Sequence, residues 1–333
     1  MHSLWLSVTL LLGSAVLIYL ACEFFVNGVE WVGHRMAVGQ KATGTILAAF
    51  GTALPESVVT LVAVAFGAGA ASKDLGIGAA LGGPLALSTI AYATVGVVLI
   101  TTRQNLPAVC EGFRSLRRDQ GWFLAIFTAK IALGLVMFAW KPWAGVGFLM
   151  AYALYVRQEM GAEQGEEEGD LEPLRFQPKA AAPATSIALA QTLLALIVIF
   201  LASRSFVMQL EHLGPALGLK PQLLALLLSP IATELPETMN AIIWVRQGKY
   251  RLALANISGA MMIQATIPTA LGLFFTPWML SPPLLLAAGM TGLAIVAMFF
   301  AFRRGRTSRV LLAAMGLLYL AFIGGILGLG LAG

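Results

Sequence analysis

The sequence predicts an all-α integral membrane protein of ten transmembrane helices, arranged as two inverted five-helix repeats. Three observations predict it. Of 333 residues, 59% are apolar and only 11% are charged, against about 25% charged in an ordinary soluble domain. A water-soluble fold of this size has no room to hide so much apolar surface. The apolar residues fall into ten runs separated by breakers, and a stretch of the first half recurs in the second. Soluble enzyme, nucleic-acid binder and disordered chain are thereby excluded. Cys22 and Cys110 provide neither a disulfide framework nor metal-ligand spacing.

A bilayer-spanning helix needs about 20 largely apolar residues. The candidate spans of the first half are Leu4–Val32, Ala42–Phe66, Leu75–Ile100, Trp122–Ala139 and the short Pro142–Val156. Those of the second are Ser186–Val207, Leu223–Val245, Leu252–Phe275, Leu284–Phe302 and Val310–Leu331. The first run is long enough to tilt. Its leader carries no Lys or Arg, and the residues up to Cys22 make a poor cleavage box, so it reads as a mature helix rather than a signal peptide. Sixteen of the 21 Lys and Arg residues fall in one set of loops. Four (Lys73, Lys141, Arg204 and Lys220) fall in the opposite set, and Lys130 lies inside the fourth span. The positive-inside rule puts the richer set in the cytoplasm and both termini outside it. The expectation is a multi-pass protein of the cell inner (plasma) membrane. Its formal charge of +5 reflects insertion into a lipid bilayer, not binding of nucleic acid. Trp5, Trp122, Trp140, Trp143 and Trp278 lie near span ends and are expected to be interfacial anchors.

The only long hydrophilic stretch, residues 158–185, is acidic and then rich in Pro and Ala. It is expected to be a flexible cytoplasmic linker, since such composition cannot bury a core. It separates two domains, residues 1–157 and 186–333. Shifting the chain by 181 residues lays Glu23–Glu56 on Arg204–Glu237, with Thr52, Leu54, Pro55 and Glu56 meeting Thr233, Leu235, Pro236 and Glu237. Each domain holds five spans, an odd number, so the second copy is expected to cross in the opposite sense. Inverted repeats place transporter binding sites near the midplane, where broken helices of both copies meet.

The two matched motifs lie near the middle of spans two and seven. Each proline removes an amide donor, kinks its helix and frees carbonyl oxygens. The following residue, Glu56 or Glu237, puts a carboxylate at that break. Thr52 and Thr233 add hydroxyl or carbonyl oxygens, so the ligand set is hard and suits Ca²⁺, Mg²⁺, Mn²⁺ or Na⁺. A carboxylate at the bilayer centre costs roughly 2.5–3.5 kcal/mol on insertion scales. Three of them, counting Glu234, would cost about 8–10 kcal/mol without partners. No matching cation lies within spans two, three, seven or eight. The rival reading is that the three are protonated or paired with Arg.

At these residues the chain resembles the sodium/calcium exchanger (cation/calcium antiporter) superfamily. That superfamily carries, in each of two inverted repeats, a Gly-Thr-Ser-Leu-Pro-Glu-like motif followed by a Gly-Asn-x-x-Gly-Ser-Asn-x-x-Asn-like motif. The resemblance covers essentially all ten spans. It implies alternating-access antiport of inorganic cations, with Glu56 and Glu237 as the main Ca²⁺ ligands and Thr52 and Thr233 as contributors. The resemblance implies Ca²⁺ as the transported ion and Na⁺ or H⁺ as the coupling ion, and it implies no other cofactor. The chain departs from the pattern in several places. The motif serine is Ala53 in one copy and Glu234 in the other. The second motif of the first half reads Gly78-Ala79-Ala80-Leu81-Gly82-Gly83-Pro84 and lacks its Asn and Ser. In the second half Asn256 remains, and Gln264 stands where the last Asn would be. In the family those residues help form Na⁺ sites, so Glu234 is placed to carry a proton instead. Asn240, one turn after Glu237, is a further candidate. Lys130 is expected to pair with a carboxylate on another helix or to take part in coupling. A passive cation channel, or a non-transporting cation sensor or scaffold, remains an alternative, and a monomer is compatible with each.

Overall fold

A computed structural model of the protein describes residues 2–35, 48–67, 69–104, 113–161, 172–180, 182–305 and 307–331, and among these all regular structure is helical. Helix α1 (His2–Arg35) is followed by α2 (Ala48–Leu61), which runs on through a π-helical turn to Phe66. Next come α3 (Ala70–Ala86), a second π-helical turn and α4 (Tyr92–Thr101), one continuous apolar segment. Helices α5 (Phe113–Leu133) and α6 (Ala144–Gly161) complete the first half. The second half contains α7 (Thr185–Leu217), α8 (Pro221–Thr233), α9 (Leu235–Arg246), α10 (Tyr250–Phe275), α11 (Pro282–Arg303) and α12 (Arg309–Gly328). Among the described residues, six helices are long and apolar enough to cross a membrane: α1, the α3–α4 segment, α7, α10, α11 and α12.

Three expectations about the helices need correction, the first being the sixth run, which was expected to end at Val207 but continues in α7 to Leu217. The fourth run was expected at Trp122–Ala139, but α5 covers Phe113–Leu133. The polar residues that hid its start are accommodated inside. Gln120 is buried and donates to the Tyr92 hydroxyl (2.8 Å) and the Ser258 hydroxyl (3.0 Å). Its end is set by Gly134, where a Cβ would lie 2.3 Å from Leu280, and whose carbonyl accepts from the Leu280 amide. The two proline motifs also behave differently. Helix α2 continues through Pro55, whereas the second copy breaks at Glu234, between α8 and α9. The second copy carries two prolines, Pro230 and Pro236, each removing an amide donor. Pro236 then opens α9 at a position where no donor is needed.

The packing interleaves the halves. Helix α1 lies along α7, α2 against α10, and α3 against α8, while α11 and α12 flank α5 and α4. Glycines let α3 approach α8 closely. A Cβ at Gly78 would lie 2.1 Å from the Gln222 carbonyl oxygen, and one at Gly82 would lie 2.8 Å from that of Leu226. The Leu226 carbonyl is the one whose helical partner Pro230 removes. Two cores result, one of α1, α2, α7 and α8 and a larger one centred on α10. The motif helices lie where they meet.

The segment expected to be a flexible linker is docked over its second part. Leu174 is fully buried with Trp31 and Ala188. The Trp31 indole donates to the Glu172 carbonyl (2.8 Å), the Arg175 amide to Asn27 Oδ1 (2.9 Å) and the Phe176 amide to Gln191 Oε1 (2.8 Å). Polar side chains of α1 and α7 thus satisfy the backbone of an irregular strap, which composition does not reveal. The acidic run Glu163–Asp170 lies outside the described residues. The tryptophans divide: Trp5, Trp140 and Trp143 are exposed, but Trp278 is fully buried and is no interfacial anchor.

Candidate cation site

Glu56 is fully buried on α2, one residue past Pro55. Thr233, the last residue of α8, brings its Oγ1 to 2.8 Å from Glu56 Oε2 and 2.8 Å from Glu234 Oε1. The same hydroxyl lies 3.2 Å from the Ser229 carbonyl oxygen. A hydroxyl has one proton to give. Both carboxyl contacts are hydrogen bonds at once only when one carboxyl is protonated and donates to Thr233 while the hydroxyl donates to the other. The break is confined to Glu234, whose amide still donates to the Pro230 carbonyl (2.9 Å) while its side chain reaches Thr233 and Gln264. On α10, Gln264 Nε2 donates to Glu234 Oε2 at 2.7 Å. The bridge therefore runs Glu56–Thr233–Glu234–Gln264 and joins three helices.

Two oxygens at this bridge, Glu56 Oε1 and Gln264 Oε1, are buried and have no hydrogen-bond partner among the described residues. Buried acceptors of this kind are rare because each forfeits its hydration. Gln264 Oε1 has its place because of a glycine: a Cβ at Gly83 would lie 2.7 Å from it. Where the resemblance expects a serine, this chain leaves a gap that the amide of the other half fills.

Glu237 is fully buried in the first turn of α9. Thr52 lies on α2, but its side chain falls outside the described residues. Asn256 is buried on α10, eight residues before Gln264 and so about 12 Å away along the axis. Its Nδ2 has no hydrogen bond among the described residues. Asn240 is half-buried on α9 and stands outside the bridge. Among the described residues, no three acidic, His or Cys side chains converge as a metal cage. An ion at the bridge would thus be held by carboxylates together with amide, hydroxyl and carbonyl oxygens, a hard donor set.

Lys130 differs from expectation. It is fully buried, and its Nζ donates to the Ala80 carbonyl at 2.7 Å rather than to a carboxylate. The signal that could have located it is Pro84, which lacks the amide that would serve the carbonyl four residues earlier.

The sodium/calcium exchanger protein family model matches residues 6–157 and 187–328. The chain belongs to the sodium/calcium exchanger family. It is thus a membrane protein of a family of antiporters that move inorganic cations, not of catalysts. The inner membrane protein YrbG of Escherichia coli is 25% identical to it, over 96% of this chain and 97% of the relative. An uncharacterized membrane protein of Methanocaldococcus jannaschii is 22% identical over 262 residues, 78% of this chain and 79% of the relative. The crystal structure of the H⁺/Ca²⁺ exchanger CAX shares the fold with a TM-score of 0.78 at 18% identity, over 96% of this chain and 82% of that one. The sodium-calcium exchanger NCX_Mj shares it with a TM-score of 0.62 at 18% identity, over 96% and 99%.

Proposed function

We propose that this exchanger is a secondary active antiporter that carries Ca²⁺ against H⁺ by alternating access. In this reading ten spans form two inverted five-helix halves, residues 1–157 and 186–333, in the inner (plasma) membrane with both termini outside the cytoplasm. Glu56 and Glu237 are the principal Ca²⁺ ligands, and Thr233 completes the shell with Thr52, the Gln264 amide oxygen and the more distant Asn256 and Asn240. One observation carries the choice of coupling ion: the Glu56–Thr233–Glu234 bridge, in which a single hydroxyl contacts two carboxyl groups at 2.8 Å. Ca²⁺ would displace the shared proton, and protonation of the bridge would release Ca²⁺. The absence of side-chain oxygens from Gly82-Gly83-Pro84 favours H⁺ over Na⁺ in the same role.

The test is Ca²⁺ flux in proteoliposomes holding the full chain. Uptake should follow an imposed pH gradient and fall to background in Glu56→Gln and Glu237→Gln. Wild-type-like exchange in either variant would defeat the assignment. Flux that ignores every counter-ion gradient would mean a channel, and Ca²⁺ binding without flux would mean a sensor.

A further inference from the structure

We propose that the Lys130 ammonium is a built-in monovalent cation of the transport site, held on α5 in a position that a mobile coupling ion would otherwise fill. The inference rests on the antiporter reading above and adds a residue to it.

The position has the features of a monovalent-cation site. Pro84 cannot donate to the Ala80 carbonyl, so an oxygen faces outward from the middle of α3, and Lys130 Nζ lies 2.7 Å from it. The rings of Phe127 and Trp278 lie 5.8 Å and 5.9 Å from the same nitrogen, within cation–π reach. The helix it caps also lines the bridge: Ala80 precedes Gly83 on α3, and a Cβ at Gly83 would lie 2.7 Å from Gln264 Oε1. A freed carbonyl alone does not call for a charge, because a neutral donor would satisfy it without the desolvation of an ammonium. In this proposal the reason for a full charge is the pair of buried carboxyl groups in the bridge that α3 lines.

The surroundings hold the ammonium in place. Trp278 adopts a left-handed backbone conformation (φ 49°), rare for a bulky residue. Its indole donates to the Lys130 carbonyl at 3.1 Å, and its own carbonyl accepts from Lys141 Nζ at 3.0 Å. Its ring fits only because residue 272 is glycine, where a Cβ would lie 2.2 Å from it. The second half has no equivalent, since α11 contains no ionisable residue from Pro282 to Phe302. On the first-half side, where Ala79, Gly83 and Pro84 offer no side-chain oxygen, the lysine supplies the cation itself. The exchanger then needs one mobile monovalent ion fewer per cycle.

Lys130→Gln keeps a donor for the Ala80 carbonyl and removes the charge. Ca²⁺ binding to the purified full chain is measured by calorimetry in NaCl and in choline chloride of equal ionic strength. For Lys130→Gln, affinity should rise about tenfold in choline chloride, and Na⁺ should now compete, whereas Lys130→Arg should behave as wild type. A second pair, Pro84→Ala and Pro84→Ala with Lys130→Gln, separates charge from carbonyl capping. Restoring the amide satisfies Ala80, so a purely structural lysine would make the pair bind Ca²⁺ alike, while a built-in cation would keep the Na⁺-sensitive difference. Wild-type affinity and Na⁺ response in Lys130→Gln would overturn the assignment of Lys130 alone. Failure of the wild-type chain to bind any divalent cation would overturn the antiporter reading, and this proposal with it.

Discussion

The two walls of the candidate site come from matching stretches of sequence and contribute opposite things. On the first-half side α2 stays helical through Pro55, Glu56 is the acid that enters the bridge, and α3 presents glycines. On the second-half side the chain breaks at Glu234, and Thr233, Glu234 and Gln264 supply the bridge. The gap at Gly83 is what admits the Gln264 amide. A duplicated motif can therefore divide its labour: one copy gives up side chains and provides space and a freed carbonyl, and the other fills that space with oxygens. Divergence of the second motif in one half is answered by substitutions in the other.

Several substitutions would break or sharpen this contrast. The largest effect is expected at Glu56, the acid of the sparse wall in the bridge. Glu56→Gln should weaken Ca²⁺ binding about a hundredfold or more, since it removes a buried charge at the ion; titration calorimetry checks it. Next is the rich wall. Gln264→Leu leaves Glu234 Oε2 without its donor and should weaken binding about tenfold, the loss of one hydrogen bond to a charged group. In the same assay Glu234→Gln should keep Ca²⁺ binding but flatten its dependence on pH. In the wild-type protein affinity should fall as pH falls, because on the proposed mechanism a proton at the bridge competes with the ion; a steep pH dependence surviving in Glu234→Gln would remove Glu234 from coupling.

Smaller effects test the fit between the walls. Gly83→Ala should displace the Gln264 amide and destabilise the protein by about 1–3 kcal/mol, an overpacking penalty. Its effect on Ca²⁺ binding should largely vanish in the Gln264→Leu background, because the two changes act on one contact. Additive effects would show that the walls are independent. The smallest change is expected far from the site. Trp31→Phe removes the donor to the Glu172 carbonyl and should lower thermal stability by about 1 kcal/mol without altering Ca²⁺ affinity. A change in affinity would instead link the strap to the site.

Much of this was legible in the sequence. Composition identified the bilayer as solvent, because burial of 59% apolar residues has no other outlet. The breakers placed the helices to within about five residues, except at α5, where Asp119 and Gln120 are polar yet buried, and at α7, which runs on past Val207 to Leu217. The Pro-Glu pairs marked the buried acids, since a carboxylate amid a long apolar run is too costly to be incidental. These are local properties, and each follows from the residues within a turn or two of the position.

Only the tertiary structure decided which groups meet. Thr233 reaches Glu56 across a separation of 177 residues, and Lys130 reaches Ala80 across 50. Both contacts depend on how closely helices pack and on where proline withdraws a donor, and neither leaves a periodic trace. The tertiary structure likewise chose Glu234 as the acid joined to Glu56 through Thr233, turned Trp278 inward and docked residues 172–180. Helix-forming runs and membrane solvation are set along the chain, whereas ligand convergence is set by sub-ångström clearances between helices, which sequence spacing does not encode.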